Sequence, residues 1–377
     1  MEPIADGVAA EAALARFAGH TVYVHAESIP GGFLRNMRIE LIEGRVRGHG
    51  ACRVALRCRE GWVRVEDLRE WGVDAQGRLI FQGYGDGDNR LRRALEVSLS
   101  PFAEPQPAGD PPGGLQAPAH AGPGAHPTLL VALAHPDDET FICGGALAAF
   151  AAAGGAIHLV CATRGEHGRR LGDPPYTTRE GLPVEREAEL REACRALGIG
   201  GLTLLGLRDK CLEFEDEDAL AARFALHMRR VRPEGVLTFH EHRGGHPDHC
   251  AVGRAATLAW RRAGEPVWHP EQLAGGVRAF QPARLYYLAG GDLAKEPAKH
   301  GLTADQITAV ECRPVARQKM SAFRAHRTQT QMDRDLWDAD EGKVLARFAR
   351  GTEFFQQANP PFAPGERGLL GMVPGGN

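Results

Sequence analysis

The run VALAHPDDET, residues 131–140, places an imidazole, a proline and two adjacent carboxylates directly after a strand of small apolar residues. Burying unpaired charges is costly, so a buried strand that ends in this way needs a partner for them. Either these groups are exposed to solvent or they coordinate an ion. Which of the two holds limits the possible folds and functions of the chain more than its amino-acid composition does.

A second cluster of the same kind follows a later predicted strand. It reads HEHRGGHPDH, residues 240–249, and its His246 and His249 repeat the spacing that separates His135 from Asp138. Residues three apart on a helical turn lie on one side of it. Two imidazoles and a carboxylate from two strand ends suit a catalytic divalent metal, which keeps one position open for water. We therefore predict a metal site, although each cluster alone would also suit a turn whose aspartate caps the next helix.

The second part of the chain, residues 128–359, alternates strands and helices, which predicts an α/β fold. Its strands are continuously apolar and do not alternate polar with apolar residues, which is typical of strands buried on both faces. We therefore expect a Rossmann-like, mostly parallel sheet with helices on both faces. The strands are predicted at 128–134, 156–163, 202–207, 235–240 and 283–289, and the helices near 141–153, 184–197, 216–231 and 248–263. Ligands of such sheets bind beyond the carboxyl ends of the strands, where both clusters lie.

Residues 1–100 have a different pattern, with six short alternating runs separated by glycine-rich or polar turns. This pattern predicts a small antiparallel sheet or barrel, preceded by a short helix over residues 7–18. We expect a β-rich accessory domain that binds an extended substrate, mediates dimerisation or docks another protein. A linker rich in Pro, Gly and Ala is predicted at 101–127, and a Pro/Gly-rich tail at 360–377.

Composition excludes several classes of function. The formal net charge of -3 over 377 residues, without any block of basic and aromatic residues, argues against a nucleic-acid partner. Eight scattered cysteines without a CxxC pair indicate reduced thiols and argue against a cysteine-rich zinc site. The apolar run 144–163 is interrupted by Gly154 and Gly155, so it does not predict a membrane span. We expect a cytoplasmic protein without a signal peptide, and homo-oligomerisation is left open.

Three motifs together resemble one family. AHPDDE (134–139), TRGEHG (163–168) and HPDH (246–249) are similar to the PIG-L/LmbE-like zinc-dependent N-acetylglucosaminyl deacetylases. That family includes the deacetylases and S-conjugate amidases of mycothiol and bacillithiol metabolism. The resemblance covers residues 128 to about 330, and the N-terminal 100 residues and the linker lie outside it.

The resemblance implies which residues form the metal site. His135, Asp138 and His249 would hold one Zn²⁺ per chain, although their nitrogen and oxygen donors also suit Fe²⁺, Co²⁺ or Mn²⁺. Asp137 would be the general base. His246 would stabilise the oxyanion, and the alternative for it is a hydrogen bond that orients His249.

The resemblance implies further contacts with substrate by Arg186, Asp209 and Glu166. Arg186 could equally form a surface pair with Glu189, and Glu166 a hydrogen bond within its loop. His326 and Gln329 are similar to the family's C-terminal HxxQ pair, to which we assign no role. Some members carry a tyrosine shortly before HPDH, whereas this chain reads EHRGGHPDH there. His242 or Arg243 would substitute for that tyrosine, or His246 would act alone.

The implied function is hydrolysis of the N-acetyl amide of a small substrate that contains N-acetylglucosamine. A metal-bound water, whose pKa zinc lowers to about 7, would attack the amide carbonyl. The alternatives are an amidase acting on a larger thiol-sugar conjugate and a non-catalytic sugar-binding protein. A nucleotide-binding dehydrogenase is disfavoured, because the first βα turn carries carboxylates where GxGxxG would hold a pyrophosphate.

Overall fold

The computed structural model describes residues 1–48, 50–87, 89–104, 127–359 and 368–371. Their contacts divide the chain into two compact units. Unit 1 consists of Met1–Glu104 together with Gly168–Leu182, and unit 2 consists of the other described residues. Boundaries drawn along the sequence did not anticipate that segment 168–182 belongs to unit 1. The predicted linker and tail lie almost entirely outside the described residues.

The described part of unit 1 contains one helix and an eight-stranded sheet. The helix is α1 (Gly7–Ala15), and the strands are β1 (Glu2–Pro3), β2 (Thr21–Ser28), β3 (Gly32–Arg47), β4 (Cys52–Cys58), β5 (Gly61–Leu68), β6 (Glu70–Val73), β7 (Leu79–Tyr84) and β8 (Leu91–Ser98). The strands pair in the order β1-β6-β7-β8-β2-β3-β4-β5, and every pairing is antiparallel. The predicted antiparallel, β-rich N-terminal part is confirmed.

Alternation along these strands builds the core of unit 1. In β4, Val54 and Leu56 are fully buried, and the arginine between Cys52 and Val54 is exposed. Helix α1 packs on β3 through the fully buried Leu14. A Cβ on Gly44 of β3 would lie only 2.2 Å from Leu14 Cδ2, so glycine is required for this close approach. Truncation of Leu14 to alanine would cost roughly 2–5 kcal/mol of stability.

Unit 2 contains the predicted α/β sheet. Its longer elements are β9 (Thr128–Leu133), α2 (Asp138–Ala152), β10 (Ala156–Thr163), α3 (Leu182–Leu197), β11 (Gly201–Leu207), α4 (Glu217–Val231), β12 (Gly235–Thr238), α5 (Pro247–Arg262), β13 (Arg284–Ala289), α6 (Gly291–Lys295), β14 (Ile307–Glu311), α7 (Ala316–Ala325), α8 (Arg327–Thr330), α9 (Arg334–Trp337), α10 (Glu341–Ala349) and β15 (Thr352–Asn359). Short 3₁₀ turns lie at Leu212–Phe214, Pro270–Gly276, Pro297–His300, Ala304–Gln306, Arg313–Val315 and Leu369–Gly371. Within the described residues, no helix is long and apolar enough to cross a bilayer.

The sheet of unit 2 has the strand order β11-β10-β9-β12-β13-β15-β14. Its first five strands are parallel, and β15 runs antiparallel to both β13 and β14. The mostly parallel sheet is therefore confirmed. Successive strands run outward from β9 to β10 and β11 on one side, and from β12 to β13 on the other. Right-handed crossovers then place α2 and α3 on one face and α4 and α5 on the opposite face.

This topology determines where a ligand can bind. The chain leaves the adjacent strands β9 and β12 in opposite directions, which opens a crevice beyond their carboxyl ends. His135 follows β9 by two residues, and the run 240–249 begins two residues after β12. Both sequence clusters therefore begin at this crevice.

A buried histidine pair lies away from the crevice. His227 of α4 stacks on His158 of β10, with 5.9 Å between the ring centroids. His158 Nε2 lies 3.1 Å from the hydroxyl of Thr203. Burial, assisted by the nearby His158, lowers the pKa of His227 from its ordinary 6.5 to about 3. The folded chain therefore keeps His227 neutral at a pH where the unfolded chain binds a proton.

We expect His227→Gln to remove part of the acid sensitivity of the fold. Because the folded-state pKa is depressed, the contribution of His227 to the free energy of unfolding falls as pH drops from about 6.5 toward 3. Between pH 7.5 and pH 5.5 this contribution decreases by about 1.4 kcal/mol. Urea unfolding of wild type and variant at both pH values measures the difference. Equal losses in the two proteins would contradict the prediction.

Candidate metal centre and active site

The predicted metal ligands meet where β9 ends and where α2 and α5 begin. His249 Nε2 lies 3.2 Å from Asp138 Oδ1 and 3.3 Å from His135 Nδ1. His135 Nδ1 lies 3.6 Å from Asp138 Oδ2. Ligand atoms about 2.1 Å from a tetrahedral ion are about 3.4 Å from one another, so the two imidazole nitrogens and the Asp138 carboxylate can contact one cation.

Hydrogen bonds to the opposite ring nitrogens leave the required lone pairs free. His249 Nδ1 lies 2.9 Å from the carbonyl oxygen of Gly244, so Nδ1 carries the proton and Nε2 is an acceptor. His135 Nε2 lies 3.2 Å from both Asp209 Oδ1 and Asp248 Oδ2. Carboxylates in this position fix the tautomer of a ligating histidine and increase its basicity. The donor set therefore fits a zinc ion.

Carboxylates dominate the electrostatics of this site. Burial opposes the ionisation of Asp138, but the adjacent His135 and His249 imidazoles outweigh it and hold the pKa of Asp138 below its usual range. Burial opposes the ionisation of Asp209 as well, and the nearby His135 lowers the pKa of that carboxyl in the same way. Burial disfavours the His135 cation, yet Asp209 and Asp138 raise its pKa well above the ordinary value. The anionic cluster around His135 thus favours binding of a cation.

A second set of potential ligands shares His135 and adds His246 and Asp248. Asp248 accepts backbone hydrogen bonds from Lys210 at 2.7 Å and Leu212 at 3.1 Å. His246 is the N-cap of α5, and its Nδ1 accepts the Asp248 N–H at 3.2 Å. Both Asp248 oxygens therefore accept backbone N–H groups, whereas the backbone hydrogen bond of Asp138 engages Oδ2 alone. This difference favours the set of His135, Asp138 and His249.

Asp137 lies beside the metal ligands in a strained conformation. Its φ of 124° is in a region that L-residues rarely adopt and that costs about 1–3 kcal/mol. The Asp137 N–H donates to Glu139 Oε2 at 3.0 Å, and Asp137 Oδ2 accepts from Arg186 Nη2 at 2.8 Å. Burial raises the pKa of Asp137 to about 6 even though Arg186 opposes this rise. A carboxyl group that titrates near neutral pH is suited to general base catalysis.

Arg186 holds this turn through further contacts. It donates to the carbonyl oxygens of Pro136 and Gly165, the latter at 2.8 Å. Gly165 has a φ of 64°, and a Cβ there would lie 2.1 Å from Arg186 Nη1. The glycine of the TRGEHG motif therefore permits the approach of Arg186.

A buried network behind the site supports Asp137. Glu139 Oε1 accepts hydrogen bonds from the Thr140 hydroxyl at 2.6 Å and from His326 Nε2 at 2.7 Å. Burial disfavours the His326 cation, but Glu139 outweighs it and raises the pKa of His326. The first residue of the HxxQ pair thus holds the glutamate that binds the backbone of Asp137. Sequence reasoning missed Glu139 and Asp248, although each belongs to one of the motifs.

The structure places His246 beside His135 and His249. Its ring centroid lies 5.1 Å from that of His135 and 5.2 Å from that of His249. Burial and the neighbouring His135 lower the pKa of His246. With Nδ1 engaged by the backbone, Nε2 is the ring atom left to contact a substrate oxygen.

The three predicted substrate contacts lie around the site with their polar atoms bound to protein groups. Glu166 Oε1 accepts the Asp209 N–H at 2.9 Å, and Asp209 Oδ2 accepts the His167 N–H at 2.8 Å. Contact of Arg186, Asp209 and Glu166 with substrate stays a prediction.

Three further residues singled out in the sequence, Glu189, Gln329 and Arg243, bind protein groups. Arg186 and Glu189 are both buried, so the predicted surface location of this pair is wrong. The Glu189 carboxylate accepts hydrogen bonds from Thr328 N and Oγ1, each at 2.7 Å. Gln329 is also buried and donates to Thr328 Oγ1 at 3.0 Å. Arg243, one substitute for the family tyrosine, donates to Gln356 Oε1 at 2.6 Å.

Comparison with known proteins identifies the family. The PIG-L family, described as GlcNAc-PI de-N-acetylase, matches residues 130–260. The probable N-acetyl-alpha-D-glucosaminyl L-malate deacetylase 2 of Bacillus subtilis is 37% identical over 204 residues, which cover 54% of this chain and 83% of that protein. The chain belongs to the PIG-L family. The resemblance inferred from the motifs is confirmed, and the chain is an amide hydrolase of the deacetylase class.

The chain is also similar to the following proteins. The 1D-myo-inositol 2-acetamido-2-deoxy-alpha-D-glucopyranoside deacetylase of Thermomonospora curvata is 29% identical over 300 residues, covering 66% of this chain and 97% of that protein. The structure of N,N'-diacetylchitobiose deacetylase from Pyrococcus horikoshii aligns with 21% identity and a TM-score of 0.48, over 61% of this chain and 83% of that one. Residues 5–102 match a separate family described as protein of unknown function, DUF1806.

We expect His249→Ala to weaken Zn²⁺ binding by more than about 100-fold, because a ligand contributes more than the hydrogen-bond partners behind it. His246→Ala, in the same turn, is the matched control and should retain affinity close to wild type. Competition with a chelating dye measures both. A large loss in His246→Ala together with wild-type affinity in His249→Ala would favour the second ligand set instead.

We expect Glu139→Gln to destabilise the protein by about 1–3 kcal/mol, since three donors converge on this carboxylate and one would be left unsatisfied. The donors are the Asp137 N–H, the Thr140 hydroxyl and His326 Nε2. Glu192→Gln, at a half-exposed carboxylate of α3, serves as the control. Urea unfolding at pH 7.5 checks the difference, and equal stability of the two variants would refute a supporting role for Glu139.

Proposed function

We propose that the chain removes the N-acetyl group from a small substrate that contains N-acetylglucosamine, with Zn²⁺ held by His135, Asp138 and His249. The observation that carries this proposal is the convergence of the three ligand atoms directly beside Asp137. The B. subtilis and T. curvata relatives are named as deacetylases of N-acetylglucosaminyl malate and of an inositol glycoside, which supports the substrate class.

The bound cation would act as a Lewis acid that polarises the acyl oxygen and acidifies a coordinated water. Asp137 accepts the proton of the attacking water and delivers it to the leaving amine. Its pKa of about 6 suits both steps near neutral pH. Arg186 orients the Asp137 carboxylate through a hydrogen bond of 2.8 Å.

His246 stabilises the oxyanion that develops on the acyl oxygen. Its Nδ1 accepts the Asp248 N–H, which fixes the ring at the start of α5. Nε2 is then the ring atom that contacts the oxyanion. Arg186, Asp209 and Glu166 are the proposed contacts of the sugar. Arg186 binds Asp137, Asp209 contacts His135, and Glu166 accepts the Asp209 N–H. Contact with substrate would be a second role for each of the three.

We also infer a Rossmann-like fold for unit 2, which the order β11-β10-β9-β12-β13 of its parallel strands supports. Zinc is the proposed metal, and Fe²⁺, Co²⁺ and Mn²⁺ are the alternatives that the same donors accept. The cytoplasmic location and the absence of a nucleic-acid partner stay predictions.

The test is acetate release from N-acetylglucosaminyl malate and from the inositol conjugate by zinc-loaded wild type and Asp137→Asn. We expect wild type to turn over at least one of them, and the variant to lose about 10²–10⁴-fold in kcat while it keeps its metal. Asp305→Asn, at an exposed aspartate, is the matched control. A metal-loaded wild type that releases no acetate from either conjugate would overturn the deacetylase proposal, and an active Asp137→Asn would overturn the general base.

A further inference from the structure

Residues 168–182, termed here the clasped segment, connect two parts of unit 2 but pack into unit 1. The chain leaves unit 2 after His167 and returns to it at Pro183, one residue after α3 begins. The rest of unit 1 consists of the first 104 residues. Unit 1 is thus built around a segment taken from the middle of the catalytic half of the chain.

Apolar packing holds the clasped segment. Leu171 and Leu182 are fully buried in a cluster whose other members are Tyr84 of β7 and Leu91 and Ala94 of β8. The Leu91 N–H also donates to the carbonyl oxygen of Arg169 at 2.7 Å. Both ends of the segment are therefore anchored against the same two strands.

Two ion pairs of opposite polarity, one part-buried and one buried, hold it as well. Arg35 of β3 donates to both carboxylate oxygens of Glu180, at 2.7 Å and 3.0 Å. Arg179, the preceding residue, places Nη2 2.8 Å from Glu27 Oε2 of β2. The side chains of Arg179 and Glu27 are each 2% exposed, so this pair is shielded from water. Removal of one partner from such a pair is strongly destabilising because the other charge stays buried.

The chain on either side of the clasped segment is bound to the candidate active site. At one end, the His167 N–H donates to Asp209, whose carboxylate contacts His135. At the other end, Arg186 lies one turn into α3 and holds the Asp137 carboxylate. The segment is therefore continuous in sequence, at both ends, with residues that contact the surroundings of the candidate metal ligands.

We propose that unit 1 is a clamp that fixes the clasped segment, and that the fixed segment helps to select the amino-sugar substrate. The part that concerns substrate rests on the proposed function. The clamp assigns a task to residues 5–102, which match a family of unknown function. Arg35 and Glu180 act as positioning residues in this proposal.

The clamp is tested by limited trypsin digestion of the full chain. Arg169 is an exposed cleavage site inside the segment, and cleavage there tracks the population in which the segment is released. Arg35→Met and Glu180→Gln should each raise the cleavage rate after Arg169 by about tenfold, because each removes the part-buried bidentate pair between β3 and the segment. Arg45→Met, on the same strand β3 but in a half-exposed ion pair, is the matched control and should cleave like wild type. The cleavage rate of the double variant should rise by less than the product of the two single increases, since both substitutions remove the same interaction.

The selection of substrate is tested by kinetics on the conjugate that wild type deacetylates. We expect Arg35→Met and Glu180→Gln to raise KM several-fold with kcat near wild type. Loss of folded enzyme lowers the apparent kcat and leaves KM unchanged, so this split separates positioning from simple destabilisation. Zinc content should stay at the wild-type value, because none of the three metal ligands lies in the segment.

The outcomes are distinguishable. Unchanged trypsin rates in both single variants would overturn the clamp, whatever the activity. Faster cleavage with an unchanged KM would overturn the role in substrate selection. If wild type deacetylates no conjugate, the proposed function fails and the substrate part fails with it, while the digestion still decides the clamp. Should Arg35→Met not fold, Glu180→Gln tests the same pair from the side of the segment.

Discussion

The structure of the site depends on one buried carboxylate, that of Asp138. It is the first residue of α2, and it lies between the His135 and His249 imidazoles. Its Oδ2 also accepts the backbone N–H of His135 at 2.8 Å. Carboxylates in such surroundings are unstable without positive charge or donors. The imidazoles supply part of this compensation, but Asp209 and Asp248 add two further carboxylates within 3.2 Å of His135 Nε2. A divalent cation at the proposed site would complete the balance, and this would explain why an apolar strand ends in these residues.

The catalytic geometry is then maintained by residues that are distant in sequence. Asp137 adopts a strained backbone conformation, and strain of this kind persists only where the surroundings over-determine it. Arg186 binds its carboxylate from α3, and Glu139 binds its amide while itself held by His326, 187 residues away. The strain is thus stabilised by a fully buried network. Such a network would order Asp137, the proposed general base, before substrate arrives, so that little reorganisation would be needed during the reaction.

The sequence predicted the parts of the fold that depend on local pattern. The five parallel strands and helices α2 to α5 follow apolar runs and turn signals, and the metal ligands follow from paired motifs at two strand ends. Strands β14 and β15 were missed, because ITAVE is short and TEFFQQAN is largely polar, and their pairing is decided by tertiary contacts. The roles of Arg186 and Glu139 also escaped prediction, since charged residues of these types suit a surface equally well until their partners are known.

The least predictable feature is the clasped segment, whose partners lie about 145 residues away in sequence. Its adjacent Arg179 and Glu180 pair with charges of opposite sign, Glu27 and Arg35. A shift of the segment by one residue would bring like charges together in a buried environment, which costs far more than the correct pairing gains. The two pairs therefore contribute mainly to specificity, by allowing one register and excluding its neighbours. A segment held in one register presents one conformation to its flanking residues, and this is what selection of a small substrate requires.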